Sequence, residues 1–263
     1  MKHIPRKRFG QHFLTDRQVI ADIVTVIRPR PDDLMVEIGP GLGAITKPLL
    51  QTLRHLHVVE LDRDIVTRLH RDYDPARLTV HSCDALKFDF GSLGSPLRVV
   101  GNLPYNISTP LLFHLAAFSP NIEDMHFMLQ QEVVERMVAA PSTPAYGRLS
   151  VMLQYSFLMD NLLHVPPQAF SPPPRVESAV VRMLPWRERP FLAQDEELLS
   201  KIVLAAFAMR RKTLRNTLHG YLKDPDFEHL GIEPGLRAEN IGVEDFVRIA
   251  NYCHSANPDR ERT

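Results

Sequence analysis

At 263 residues, with 44% hydrophobic and 24% charged side chains, the chain can bury a full core and is expected to form one large domain plus a smaller one. No apolar run approaches the roughly 20 residues of a membrane-spanning helix, and two distant cysteines, Cys83 and Cys253, exclude a disulfide framework or a Cys-only metal site. Thirty-one basic residues cancel thirty-one acidic ones, so bulk charge announces no polyanion partner.

The N-terminus, Met1-Lys2-His3-Ile4-Pro5-Arg6-Lys7-Arg8, is basic but lacks the apolar stretch of a secretory signal, so the expectation is a cytoplasmic protein. From Asp33 onward, short apolar runs alternate with segments of helical period. Leu34 to Ile38 reads as a buried strand, closed by Gly39-Pro40-Gly41-Leu42-Gly43 and followed by a helix over 44–53. His57 to Leu61 reads as a strand, 64–71 as a helix, Leu78 to Ser82 as a strand, and Leu97 to Val100 as a strand running into Asn102. This rhythm predicts an α/β fold with a mostly parallel sheet covered on both faces. Later strands are expected at 126–129 and 178–184, separated by a proline-rich loop that includes Pro166-Pro167 and Ser171-Pro172-Pro173-Pro174. Helical spacing over 196–218 and 245–252 predicts a small all-helical C-terminal domain, with the boundary near residue 187: a larger domain at 1–187 and a helical one at 188–263.

The glycines at 39, 41 and 43 stand where a doubly wound fold lets backbone approach a ligand. Gly39-x-Gly41-x-x-Ala44 also satisfies a dinucleotide fingerprint, so a nicotinamide enzyme is an alternative. Glu60, about 20 residues on, suits a ribose diol in either case. Asp84, just past the third strand, can accept a hydrogen bond from an adenine amino group, or merely cap the turn at Ala85-Leu86. No metal is expected: the 12 histidines are scattered, and His81 with Cys83 lacks two further ligands.

Asn102-Leu103-Pro104-Tyr105 separates the readings, because hydride transfer has no use for it. The exocyclic amine of adenine is a poor nucleophile, its lone pair being delocalised into the ring. The Asn102 side-chain oxygen and the Leu103 carbonyl, stiffened by Pro104, can accept its hydrogen bonds. Tyr105 would stack on an extruded base, with Phe170 as a second apolar face or else as a core anchor. The cofactor expected is therefore S-adenosyl-L-methionine. Arg6, Lys7, Arg8 and the cluster Arg210, Arg211, Lys212, Arg215 are candidate RNA contacts and the helical domain at 188–263 the candidate RNA-binding domain, Arg211 and Arg215 sharing one helix face.

These residues resemble the ribosomal small-subunit RNA adenine dimethyltransferase family (the KsgA/RsmA group). The likeness rests on Arg6 to Leu14, Glu37 to Gly43, Val59 to Asp62, Asn102 to Ser108, Tyr146 to Ser150, Phe170 to Ser178, Arg210 to Lys212 and Arg237 to Asn240. It implies a Rossmann-like methyltransferase domain and dimethylation of two adjacent adenosines near the 3′ end of 16S rRNA, in the assembling 30S subunit, by a monomer. It also implies that His12, Leu14, Gly39, Glu60, Asp84 and Asn102 contact the cofactor, with His12 standing where many bacterial members carry Asn. Erythromycin-resistance methyltransferases acting on 23S rRNA are the nearest alternative activity, and a pure ribosome-assembly factor the alternative of another class.

Overall fold

The computed structural model describes residues 12–104 and 107–256, and divides them into two compact units. Arg6, Lys7, Arg8 and Tyr105 lie outside the described residues. The first unit runs through Val134 and takes in Leu158–Pro185; the second holds Glu135–Phe157 and the chain from Trp186 onward.

The first unit is built on β2 (Leu34–Ile38), β3 (Leu56–Glu60), β4 (Leu78–Ser82), β5 (Leu97–Asn102) and β6 (Ile122–Gln130), followed later in the chain by β7 (Phe157–Val165) and β9 (Ser178–Pro185). The strand order is β4-β3-β2-β5-β6-β9-β7, parallel from β4 to β6, with β9 antiparallel to β6. The central strands are apolar because both faces are covered, and Met35, Val36, Val58, Val99 and Val100 are each at most 1% exposed. Connecting helices α1 (Arg17–Ile27), α2 (Thr46–Thr52), α3 (Arg63–Asp72) and α4 (Ser108–Ala116) complete the α/β alternation. Two begin on aspartate caps: Asp16 accepts from the Gln18 and Val19 amides, and Asp62 from that of Asp64.

Arg98 in β5 is buried, which an unpaired guanidinium could not tolerate. It donates to both oxygens of Asp124 at 2.9 and 2.8 Å, and also to Asp33 and the Ile27 carbonyl. The opposite end of β5 is set by Gly101. A methyl group there would stand 2.5 Å from the Ile38 carbonyl oxygen of the adjoining strand, which cannot swing aside as a side chain could. Gly101→Ala is therefore expected to lower unfolding free energy by about 1–3 kcal/mol. Urea denaturation checks this, an unchanged midpoint counting against so tight a strand contact.

The loop expected between residues 166 and 174 contains a short strand, β8 (Phe170–Ser171), antiparallel to β1 (Phe13–Leu14), with Leu14 opposite Phe170.

The second unit is helical: α6 (Arg148–Ser156), α7 (Glu196–Phe207), α8 (Leu214–Thr217), α9 (Asp224–Leu230) and α10 (Val243–Ala256), with α5 (Gln131–Val138) spanning the division. The expected single cut near residue 187 is corrected here. Tyr146, Val151 and Tyr155 are buried in one apolar cluster with Leu199, Ile202, Val203 and Phe246, so α6 belongs with the C-terminal helices. The expected helix over 196–218 is also broken. α7 stops at Phe207, and the chain turns through Arg210-Arg211 before Thr213 forms an antiparallel bridge with Arg237. The Leu214 and Arg215 amides are committed to the Leu236 and Pro234 carbonyls, at 2.7 and 3.1 Å. Arg211 and Arg215 therefore do not share a helix face.

Candidate functional site

The carboxyl ends of β2, β3 and β5, with the turn after β4, open onto a cavity of about 340 Å³. In an open parallel sheet this is where a ligand is held, because the loops part on either side of the central strand. The glycine turn forms one wall: Gly39, Gly41 and Gly43 have φ of +66°, +55° and +84°, a region other residues seldom enter. The turn is anchored by the Gly39 amide, which donates to the Val59 carbonyl at 2.9 Å.

The expected cofactor residues His12, Leu14, Gly39, Gly41, Glu60, Asp84 and Asn102 all line this one cavity, with Leu103 and Pro104. Glu60, at the end of β3, accepts the Asp62 amide at 2.8 Å, and burial raises its pKa above the ordinary carboxylate value. Asp84 accepts the Leu86 amide at 3.0 Å, so it both caps the turn and lines the cavity. His12 meets the Pro172 carbonyl through Nδ1 at 2.9 Å, and since a carbonyl only accepts, Nδ1 carries the proton. The His12 carbonyl in turn receives the Asn102 amide nitrogen at 3.4 Å. This fixes the Asn102 rotamer by chemistry: the NH₂ group points to His12, and the side-chain oxygen is left to face elsewhere.

Phe170 does not line the cavity. It is 4% exposed and belongs to the core cluster with Leu14, Met128, Val165, Ala169 and Val180. The expectation of a stacking face is thus corrected in favour of the anchor, because the ring is enclosed by the apolar cluster beneath the loop. Of the basic cluster, Arg210 pairs with Glu239 at 3.4 Å, and Arg215 with Asp224 at 3.0 Å. Arg211 and Lys212 are exposed.

Four lining residues carry information that sequence reasoning did not use. Among the described residues, Glu37 and Asp62 bring the carboxylates of the cavity to four with Glu60 and Asp84, and none of the described lining residues is lysine or arginine. Glu37 is 2% exposed, and its Oε2 accepts the Thr46 hydroxyl at 2.6 Å. Burial, opposed by that hydrogen bond and reinforced by Glu60, raises its pKa to about 7. Leu61 is 53% exposed at the rim and offers an apolar face to a flat ring. Ile107 closes the same wall. The one signal available in sequence was a glutamate inside the apolar run Leu-Met-Val-Glu-Ile, where a strand filler would be apolar.

This inventory decides between cofactor classes. A dinucleotide carries a pyrophosphate, which four acidic side chains, with no lysine or arginine among the described lining residues, would repel. S-adenosylmethionine carries an ammonium and a sulfonium beside an adenosine. Such a group fits: Glu60 can hold a ribose diol, Asp84 an adenine amine, and the acidic wall the cationic end.

The comparisons agree with this reading. The family profile described as "Ribosomal RNA adenine dimethylase" matches residues 2–255. A "Ribosomal RNA small subunit methyltransferase A" of Chromobacterium violaceum is 65% identical, over 96% of this chain and 97% of its own. One of the same description from Methylobacillus flagellatus is 64% identical, over 96% and 99%. Among solved structures, a dimethyladenosine transferase from Plasmodium falciparum shares the fold at TM-score 0.76, with 23% identity over 90% of this chain and 96% of that one. The 23S rRNA methyltransferase ErmE matches at TM-score 0.70, with 25% identity over 90% and 97%. With its Rossmann-like domain, its acidic cavity and a family match along nearly all its length, the chain belongs to the ribosomal RNA adenine dimethylases and is an S-adenosylmethionine-dependent methyltransferase.

Proposed function

We propose that this enzyme dimethylates the N6 amines of two adjacent adenosines near the 3′ end of 16S rRNA, in the assembling small subunit. The observation that carries the chemistry is the cavity whose described lining holds four acidic side chains and no lysine or arginine, and which ends at Asn102, Leu103 and Pro104. The small-subunit target rests on relatives above 60% identical that are described as small-subunit methyltransferases.

S-adenosylmethionine supplies an electrophilic methyl group when bound. The residues of the chain do the rest by positioning. The Asn102 side-chain oxygen and the Leu103 carbonyl accept the two N–H bonds of the target amine, which favours a pyramidal nitrogen with its lone pair available. Tyr105, two residues on, is assigned the face of the extruded base. Pro104 restricts Leu103, so its carbonyl need not be ordered at each turnover. After one transfer the amine keeps a single N–H, and one acceptor must let go before the second methyl is added.

Arg6, Lys7 and Arg8 are proposed to dock RNA together with Arg211 and Lys212, while Arg210 and Arg215 are already engaged by acidic neighbours. Charge reversal at Arg211 and Arg215 is expected to weaken rRNA binding roughly tenfold or more at moderate salt, most of it from Arg211, with cofactor affinity unchanged. Filter binding and calorimetry read the two affinities separately, and unchanged RNA affinity would remove this surface from the interface.

The deciding experiment is incubation of the enzyme with 30S particles that lack the modification and, in parallel, with 23S rRNA, followed by nucleoside mass spectrometry. Dimethyladenosine in 16S rRNA is the expected product. Methylation confined to 23S rRNA would assign it the activity for which ErmE is named. Binding without methylation would make it an assembly factor.

A further inference from the structure

Glu37 sits in the cavity wall one strand away from Glu60, and the two carboxyls share that wall with Asp62 and Asp84. The groups that act on Glu37 are the Glu60 carboxyl, the Thr46 hydroxyl from α2, and the Tyr73 phenol after α3, whose oxygen lies against Gly43, while Asp62 and Asp84 line the same cavity. No lysine, arginine or histidine among the described residues offsets its charge. A carboxyl so enclosed has two ways to avoid an uncompensated buried charge: hold a proton, or face a cation.

We infer that Glu37 is a proton-exchanging positioning residue: it carries a proton while the cavity lacks a cation and gives that proton to solvent when cationic S-adenosylmethionine enters. The inference rests on the cofactor reading above and adds a linkage to it. No bond is made or broken but the O–H of the Glu37 carboxyl, and the proton leaves as hydronium or on buffer.

Burial agrees in direction, placing Glu37 about half protonated near neutrality, since its pKa is raised to about 7. The sign for stability follows. Glu37 binds its proton more tightly folded than unfolded, so the stability it contributes is complete below the ordinary value of 4.5 and is lost as pH rises through about 7. Without cofactor the enzyme should therefore weaken over that window, and with saturating cofactor it should not. Affinity for S-adenosylmethionine should rise with pH up to about tenfold per unit below neutrality, then level off.

The test is titration calorimetry of the full chain with S-adenosylmethionine at pH 7, in buffers of different ionisation enthalpy. Its readout is the number of protons released on binding. The wild type is expected to release about half a proton more than Glu37→Gln, a difference in which protons from the cofactor itself cancel. Thr46→Val removes the hydrogen bond that lowers the Glu37 pKa, and should move release toward about one proton while weakening affinity. Thermal melts of both variants establish that they are folded. Equal release by wild type and Glu37→Gln would overturn the inference, as would a Thr46→Val release at or below the wild-type value. Failure of the wild type to bind S-adenosylmethionine at any pH would instead defeat the cofactor reading itself.

Discussion

Asn102→Ala is expected to lower the single-turnover rate of methyl transfer roughly 10²–10³-fold, the scale set by losing one aligned polar group at a reacting centre. The side-chain amide is held by the His12 carbonyl, so its oxygen is presented without searching among rotamers. Alanine removes one of the two acceptors proposed for the target amine and leaves only the Leu103 carbonyl to hold it. Asn102 also lines the cofactor cavity, so some loss of affinity will accompany the rate. Single-turnover measurement at saturating cofactor separates the two. A variant that bound more weakly but reacted at the normal rate would make Asn102 a cofactor ligand only.

The second large effect concerns Phe170. Buried in the core beneath β8, it should behave as a packing residue, and Phe170→Ala should cost about 3–5 kcal/mol of unfolding free energy. Its strand pairs with β1, which carries Leu14 into the cavity wall, so cofactor affinity should fall along with stability. Phe170→Leu, which keeps most of the volume, should restore most of both. Denaturation curves and calorimetry on the pair are decisive. Full stability in the alanine variant with methylation lost would return the ring to the substrate side.

The contrast between these residues shows what could be read in the sequence. The parallel strands β2 to β6 were legible because each is a short apolar run, and their carboxyl ends then located the glycine turn, Glu60, Asp84 and Asn102 without knowledge of packing. β7 was not legible: Asp160 and Asn161 interrupt its apolar pattern, and as the outer strand of the sheet it is half exposed. α6 was missed because Leu-Ser-Val-Met-Leu-Gln-Tyr carries too many apolar residues to show one face. Whether Phe170 points into a core or into a cavity depends on its strand partner, Leu14, at the other end of the domain. Local pattern cannot supply that. Glu37 was visible as an oddity in an apolar strand, but its meaning needed the neighbouring Glu60 and a described cavity lining without lysine or arginine.

The interleaving of the two units has a consequence for synthesis. Translation delivers β6 and then α6, whose Leu149, Val151 and Leu153 are buried in the finished protein. α7 and α10, which share the Val151 cluster, emerge only after β7 and β9 have been made. A nascent chain thus holds an apolar helix without cover until α7 and α10 have left the ribosome, a state in which chains tend to aggregate. A fragment beginning at residue 188 would lack Tyr146, Val151 and Tyr155 from its core, and should not fold when expressed alone. An enzyme of ribosomal RNA would, in its own making, depend on ribosomes delivering α7 and α10 before α6 finds another apolar surface.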